Sequence, residues 1–220
     1  MPPFSSPNHA GRVFERDLAD LARNLLPEPI EHNRAAGCPS DFDLNPDAES
    51  DAADAPLTAA AVLVPLITGG DKLSVLLTER TAHLAQHAGQ IAFPGGKIDA
   101  TDEGPLAAAL RESREEIGLE SRYIELLGYI EPYRTGTGFL VTPVIAAVRP
   151  GYTLAPDASE VADVFEVPFD FLMDPRNHRI DSRFWRGADR RFYAMPYQER
   201  YIWGATAGII RTLHRRLFTA

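Results

Sequence analysis

Residues Gly95 to Leu119 read "GGKIDATDEGPLAAALRESREEIGL" and pass from a turn, through an acidic loop, into a helix. Pro105 suits a first helical turn, "LAAALRESREEI" is rich in helix formers, and Gly118 supplies a C-cap, so a helix is predicted over Pro105 to Ile117. Leu106, Ala109, Leu110 and Ile117 make one side apolar. Glu112, Glu115 and Glu116 fall at i, i+3 and i+4 on another side, where like charges cost a few tenths of a kcal/mol per pair. Arg111 and Arg114 compensate in part, and a divalent cation would compensate more. Taken alone, this is also the pattern of a solvated acidic helix. Its apolar opposite side and the preceding Gly95-Gly96 and Asp99, Asp102 and Glu103 favour a built site. Glycine lets a backbone carbonyl approach an ion, and carboxylate and carbonyl oxygens suit Mg²⁺ or Mn²⁺. A pyrophosphate would be repelled by such a face unless metal ions bridged the two, and the same ions activate water. The expectation is metal-dependent phosphoanhydride hydrolysis.

Outward from this segment the pattern is strand-rich. "AAAVLVPLI" and "LSVLLTER" flank "TGGDK", a turn sequence, and predict antiparallel neighbours. "GQIAFPGG" predicts a short strand stopped by Pro94 and the glycines. After Leu119, "YIELLGYIEP" and "FLVTPVIAAV" have strand composition on either side of "YRTGTG". "VADVFEVPF" leads into a short helix around Asp170 to Met173, and "RRFYAMPY" predicts a further strand. "YIWGATAGIIRTLHRRLF" predicts a C-terminal helix with Trp203, Ala207, Ile210 and Leu213 on one face. The fold class is α/β, a mixed sheet with a helix on each side.

Phe14, Leu18, Leu21 and Leu25 predict an amphipathic helix within about 11–26, ending before Pro27 and packing on the domain or a partner subunit. Residues 27–56 combine prolines with six acids between Asp41 and Asp54, and predict a long loop or mobile linker. The chain divides into an N-terminal extension, 1–56, and one domain, 57–220.

The composition, 45% apolar and 24% charged, is that of a globular protein. A net charge of −9 argues against nucleic acid as a partner; removing the acids of the 41–54 cluster leaves about −3 for the remainder. The one cysteine, Cys38, excludes an intramolecular disulfide and reads as an incidental thiol. The longest apolar run, "LTAAAVLVPLI", is far short of the ~20 residues that span a bilayer, and the N-terminus has no apolar signal core. A cytoplasmic protein without a membrane partner is expected.

The arrangement of Gly-Gly followed by "LRESREEIGL" resembles the Nudix box, G-x5-E-x7-R-E-U-x-E-E-x-G-U with U a bulky apolar residue. The match is strongest at Arg111, Glu112, Glu115, Glu116, Gly118 and Leu119. It departs at two places. Either Asp102 takes the role of the first Glu or the loop before Glu103 is one residue longer, and Ser113 replaces the first U. A serine there requires the helix to lie close to the sheet or the hydroxyl to bond back to the preceding turn.

"LLTERTAHLAQHAGQIAFPGG", Leu76 to Gly96, is similar to the signature that precedes the box in the coenzyme A pyrophosphatase branch, with Thr81 and Gln86 as departures; "IWGATA", Ile202 to Ala207, is similar to a later stretch of that branch. The resemblance implies a Nudix-type α/β/α sandwich and cleavage of coenzyme A to 3′,5′-ADP and 4′-phosphopantetheine. It implies Mg²⁺ or Mn²⁺ on Gly96, Glu112, Glu115 and Glu116, with Arg111 holding a glutamate. It further implies Glu160 or a box glutamate as base and a homodimer by family habit; as cationic or polar groups near the expected cleft, Arg80, His83, His87 and Arg134 are candidates to meet the 3′-phosphate or the pyrophosphate. Two alternatives remain open: another nucleoside diphosphate derivative, such as an ADP-sugar or dinucleoside polyphosphate, and a nucleotide-binding module without catalysis.

Overall fold

A computed structural model describes residues 18–31, 37–48, 56–82, 89–185 and 187–218. Two ten-residue apolar strands, β1 (Thr58–Ile67) and β7 (Phe139–Val148), run parallel at the centre of the main sheet, Thr58 opposite Phe139 and Ile67 opposite Val148. Both are apolar on both faces. Ala60, Val64 and Leu66 enter one buried cluster while Ala61, Leu63 and Ile67 enter the other, so the near-continuous run "AAAVLVPLI" is the pattern of a strand covered on both sides.

The remaining strands of this sheet are antiparallel to their neighbours. β2 (Ser74–Arg80) returns from β1 through the "TGGDK" turn, with Leu66 opposite Val75. β3 (Ile91–Ala92) pairs with β2, and β4 (Gly95–Lys97) pairs with β1. β5 (Ile124–Tyr129) and β6 (Tyr133–Arg134) pair with β7, and β8 (Val161–Pro168) pairs with β2. The path β3-β2-β1-β7-β5 gives the expected mixed sheet. The expected single strand in "GQIAFPGG" is two short ones divided by Phe93 and Pro94.

Helices cover both faces. α1 is described over residues 18–23, and the part of its predicted span before 18 lies outside the described residues. It stops short of Leu26 because that residue is captured in a two-hydrogen-bond bridge with Tyr129, 2.9 and 2.8 Å, which turns Leu25 into the core. α2 (Pro105–Ile117) buries Ala108, Ala109, Ser113 and Ile117 on one face of the sheet. Burying an isoleucine such as Ile117 contributes about 1.5–3 kcal/mol. α3 (Phe169–Met173) and α4 (Ala205–Phe218) lie on the other face, where Leu172, Ile209, Ile210 and Leu213 are buried. No described helix is long and apolar enough to cross a membrane.

A second sheet departs from the expectation. β9 (Arg179–Trp185), β10 (Ala188–Tyr197) and β11 (Arg200–Trp203) form an antiparallel three-stranded unit, where the sequence predicts a strand only at "RRFYAMPY". Trp203 therefore ends a strand, and α4 begins only after Gly204, whose φ of 64° makes the turn. Arg200 fastens this unit to the main sheet: its guanidinium stacks 3.6 Å from the Phe165 ring centroid and pairs with Glu79 at 3.2 Å and Asp163 at 2.5 Å.

Residues 37–48, expected within a loop or mobile linker, hold a bridge from Ser40 to Arg134 and a 3-10 turn at Pro46–Ala48, and are tied down. Asp41 accepts hydrogen bonds from the Tyr133 hydroxyl, 2.9 Å, and the Gly136 N–H, 2.7 Å. The Asn45 amide donates to the Arg191 carbonyl at 2.7 Å and accepts from the Arg191 N–H at 2.8 Å. Phe42 is buried beneath the Arg134 guanidinium, 5.0 Å from the ring centroid.

Candidate active site

The acidic face of α2 is organised by Arg111. Its Nε and Nη2 donate to the two oxygens of Asp102 at 3.0 and 2.9 Å, Nη1 donates to Glu112 at 2.8 Å and Glu115 at 3.1 Å, and Nη2 also reaches the Lys97 carbonyl at 3.0 Å. Asp102 is thus the acid that Arg111 grips from the loop, while Glu103 points into solvent. The Arg111 hydrogen bonds, with the Asp99 N–H donating at 2.8 Å, hold the Asp102 carboxyl below its ordinary value. One guanidinium fixes the relative positions of loop, strand and helix.

Glu116 has a different environment from the other two glutamates. Glu115 is exposed and Glu112 half-buried, whereas Glu116 is 6% exposed and sits between α2 and the sheet. Its carboxylate accepts the Gly95 N–H at 3.0 Å and lies 3.5 Å from the Arg80 guanidinium. Burial pushes its pKa up to about 7 against these two stabilising partners, with Glu112 and Glu160 adding repulsion. The acidic face is therefore graded from solvent to core, not uniformly exposed as the helical spacing alone implies.

Both glycines of the turn are needed for close approach. Gly95 has a φ of 153°, and a Cβ there would collide with the Ala61 carbonyl oxygen; a Cβ on Gly96 would lie 2.5 Å from the Glu112 carboxyl carbon. Ser113 is fully buried and its hydroxyl donates to the Ala109 carbonyl at 2.7 Å, so both expectations for this position hold. Gly118 closes the helix with a φ of 69°, its N–H donating to the Arg114 carbonyl at 3.0 Å.

Against β4 lies a cavity of about 870 Å³, within the range of small-molecule sites. Gly95, Gly96, Lys97 and Arg80 belong to its wall, whereas Glu112, Glu115 and Glu116 do not. The glycine strand borders the cavity and touches the carboxylates, Gly96 beside Glu112 and the Gly95 N–H on Glu116, and Arg80 reaches both. The rest of the wall brings distant segments together: Ser40 to Phe42, Gln90 to Phe93, Tyr133, Phe192 and Trp203 to Thr206. The Thr206 hydroxyl donates to the Ile91 carbonyl at 2.9 Å in a buried contact, joining "IWGATA" to "GQIAFPGG".

The structure thus gathers Gly96, Arg80, Arg111, Glu112, Glu115, Glu116 and Glu160 around one end of β4. Glu160 is exposed just before β8, its carbonyl held by the Thr81 N–H at 2.9 Å, and its charge acts on Glu116. Arg134 does not join them: it is absent from the cavity wall and covers Phe42, because β6 turns Tyr133 inward and Arg134 toward residues 39–42. His83 and His87 lie outside the described residues. Sequence reasoning missed Phe192, Trp203 and the arginines Arg183 and Arg190 of the second sheet as cavity residues; the spacing of Arg190 and Phe192, two apart, was the available signal.

Residues 57–186 match the NUDIX domain family. The chain is 43% identical to the uncharacterized Nudix hydrolase NudL of Enterobacter sp. (strain 638) and 41% identical to that of Escherichia coli (strain K12), in each case over 70% of this chain and 80% of the relative. Among solved structures, the NUDIX domain of Shewanella oneidensis NrtR complexed with ADP ribose aligns at 20% identity with a TM-score of 0.47, over 79% of this chain and 98% of that one. The chain belongs to the Nudix hydrolase family.

Proposed function

We propose that this enzyme hydrolyses the pyrophosphate linkage of coenzyme A or a close derivative, giving 3′,5′-ADP and 4′-phosphopantetheine, with Mg²⁺ or Mn²⁺. The observation that supports the substrate assignment is that described parts of the two stretches similar to the coenzyme A branch, Arg80 and Gln90–Phe93 of the first and Trp203–Thr206 of the second, meet on one cavity wall with Gly95 and Gly96. Residues that distinguish a branch have reason to lie against the ligand.

Nudix hydrolases depend on a divalent cation. Among the described residues no three carboxylate, imidazole or thiolate groups stand ready to hold one, since Arg111 draws on Glu112 and Glu115 and Arg80 on Glu116. The donors nevertheless fit: they are hard oxygens, and the missing Cβ of Gly96 leaves its backbone open beside Glu112. Glu112, Glu115, Glu116 and the Gly96 carbonyl would hold the ion. Bound there, such an ion neutralises pyrophosphate oxygens and acidifies its water.

The chain's own groups supply the rest. Arg111 keeps Glu112 and Glu115 at fixed positions, and Arg80 at the cavity edge meets the negative charge of the substrate. Glu160 or a box glutamate accepts the proton of the attacking water. The exposure of Glu160 and its influence on Glu116 support the first assignment. The test is a panel of coenzyme A, acyl-coenzyme A, NADH, ADP-ribose and dinucleoside polyphosphates with each metal, read by product masses. Cleavage of coenzyme A to the two named products is expected; turnover of another member alone replaces the substrate, and no turnover at all points to a binding module.

A further inference from the structure

Part of the cavity wall is made by the second sheet, through Arg183, Arg190, Phe192 and Trp203, none of which belongs to the box. Arg190 of β10 stands directly opposite Arg183 of β9, so the two share one face of the hairpin. Like charges in that arrangement repel. Among the described residues neither forms an ion pair, and both belong to the cavity wall, Arg190 half-buried and Arg183 exposed.

No acid of the hairpin forms an ion pair with either of them among the described residues. On the same face Asp181, two residues before Arg183, accepts a hydrogen bond from the Tyr201 hydroxyl at 2.5 Å, and Asp189 alternates to the opposite face. The register also places an aromatic pair on the arginine face: Phe192 follows Arg190 by two, and Trp203 lies opposite Ala194. Their rings are 5.1 Å apart, both are half-buried, and both line the cavity. A cation pair beside an aromatic wall is a site for a ring system that carries its own anion.

We propose that Arg183 and Arg190 bind a second phosphate of the substrate, outside the cleaved anhydride, while Phe192 and Trp203 pack against the attached base. This rests on the reading above, in which the pyrophosphate sits at the β4 end. A nucleotide with a phosphate on its ribose as well as in its anhydride has the required shape. The repulsion between the two arginines is relieved only when that phosphate arrives, so the site selects for substrates that carry it. Two arginine forks suit a phosphate dianion better than lysine does.

The test compares kcat/KM for coenzyme A and for 3′-dephospho-coenzyme A in the wild type and in Arg183→Gln, Arg190→Gln, the double variant and Arg190→Lys. The wild type is expected to favour coenzyme A, and the double variant to lose at least roughly tenfold of that preference, through KM for coenzyme A. Arg190→Lys should retain part of it. An unchanged preference, or an equal fall for both substrates, overturns the proposal. Should the wild type cleave neither compound, the functional reading above fails by itself, and calorimetry with adenosine 3′,5′-bisphosphate and AMP then decides the arginines. A preference for the bisphosphate that disappears in the double variant supports the site; equal binding of the two removes it.

Discussion

Two charged regions flank the cavity, and they handle charge in contrary ways. Behind β4, Asp102, Glu112 and Glu115 are bonded to Arg111, and Glu116 to the Gly95 N–H with Arg80 beside it. On the hairpin of the second sheet, Arg183 and Arg190 face each other with no acid paired to either among the described residues. The first region is a hydrogen-bonded frame whose geometry is set before any ligand binds. The second stores repulsion that an incoming anion removes. Rigid placement suits the bond that is broken, and unsatisfied charge suits recognition at a distance from it.

Glu116→Gln strikes hardest at the first region. Hydrolysis should fall on the order of 10³-fold, while circular dichroism stays native, because the amide still accepts from Gly95 but carries no charge. Turnover at the wild-type rate would remove Glu116 from the chemistry. Gly95→Ala comes next and tests the frame by its backbone: the new Cβ meets the Ala61 carbonyl, and the denaturation midpoint should report a loss of about 3 kcal/mol. An unaltered midpoint would mean that β4 has room to move.

Arg111→Ala leaves the acids without their common partner. A loss of about 2 kcal/mol in stability and roughly 10²-fold in activity is expected, with Arg111→Lys recovering little, since an ammonium cannot reproduce the fork to Asp102. If lysine restored both, the hub would be a matter of charge alone.

The smallest effect lies away from both regions and serves as their control. Burial by itself would raise the Glu131 carboxyl, but the Arg216 hydrogen bonds, the shortest 2.6 Å, outweigh it and leave the group below its ordinary value. A depressed folded value means stability that is present above about pH 4.5 and fades as pH falls through the folded value. Because both side chains are partly exposed, Glu131→Gln should cost under about 1 kcal/mol at neutral pH and flatten the acid limb of a stability-versus-pH curve, with kcat/KM unchanged.

The contrast also separates what local sequence reveals from what it hides. Arg111, Glu112 and Glu116 lie on one helix, so a period of 3.6 was enough to bring them together, whereas the buried Ser113 with its bond to Ala109 was legible only because a serine stands where the box has a bulky apolar residue. The choice between Asp102 and Glu103 needed the structure, because the loop between β4 and α2 has no period. β9, "RIDSRFW", is an edge strand with no continuous apolar run, and its one strand signal, the alternation of Arg179, Asp181 and Arg183, is too short and too polar to stand out in the sequence. "YIW" was absorbed into the helix pattern because Trp203 stands four residues before Ala207, a spacing that a strand ending at a glycine turn also satisfies. The attachment of residues 37–48 depends on partners as far away as Arg191, which no local window contains. Arg134, expected toward the substrate as a cationic group, is turned away from the cavity by the two-residue strand β6, a placement that no local pattern encodes.

The side chain of Asn45 does more than hold its own segment. β11 pairs with β10 only from Ala194 to Tyr197, so at Arg191 that margin of β10 has no neighbouring strand among the described residues, and the Asn45 amide supplies one donor and one acceptor in its stead. A single asparagine thus acts as one residue of a missing strand and blunts an edge that could otherwise recruit another chain. A shortened protein starting at residue 57, the first of the matched family residues, would lose this plug together with Ser40, Asp41 and Phe42 from the cavity wall. Such a fragment would keep every glutamate of the box and still be prone to self-association through the uncovered margin of β10.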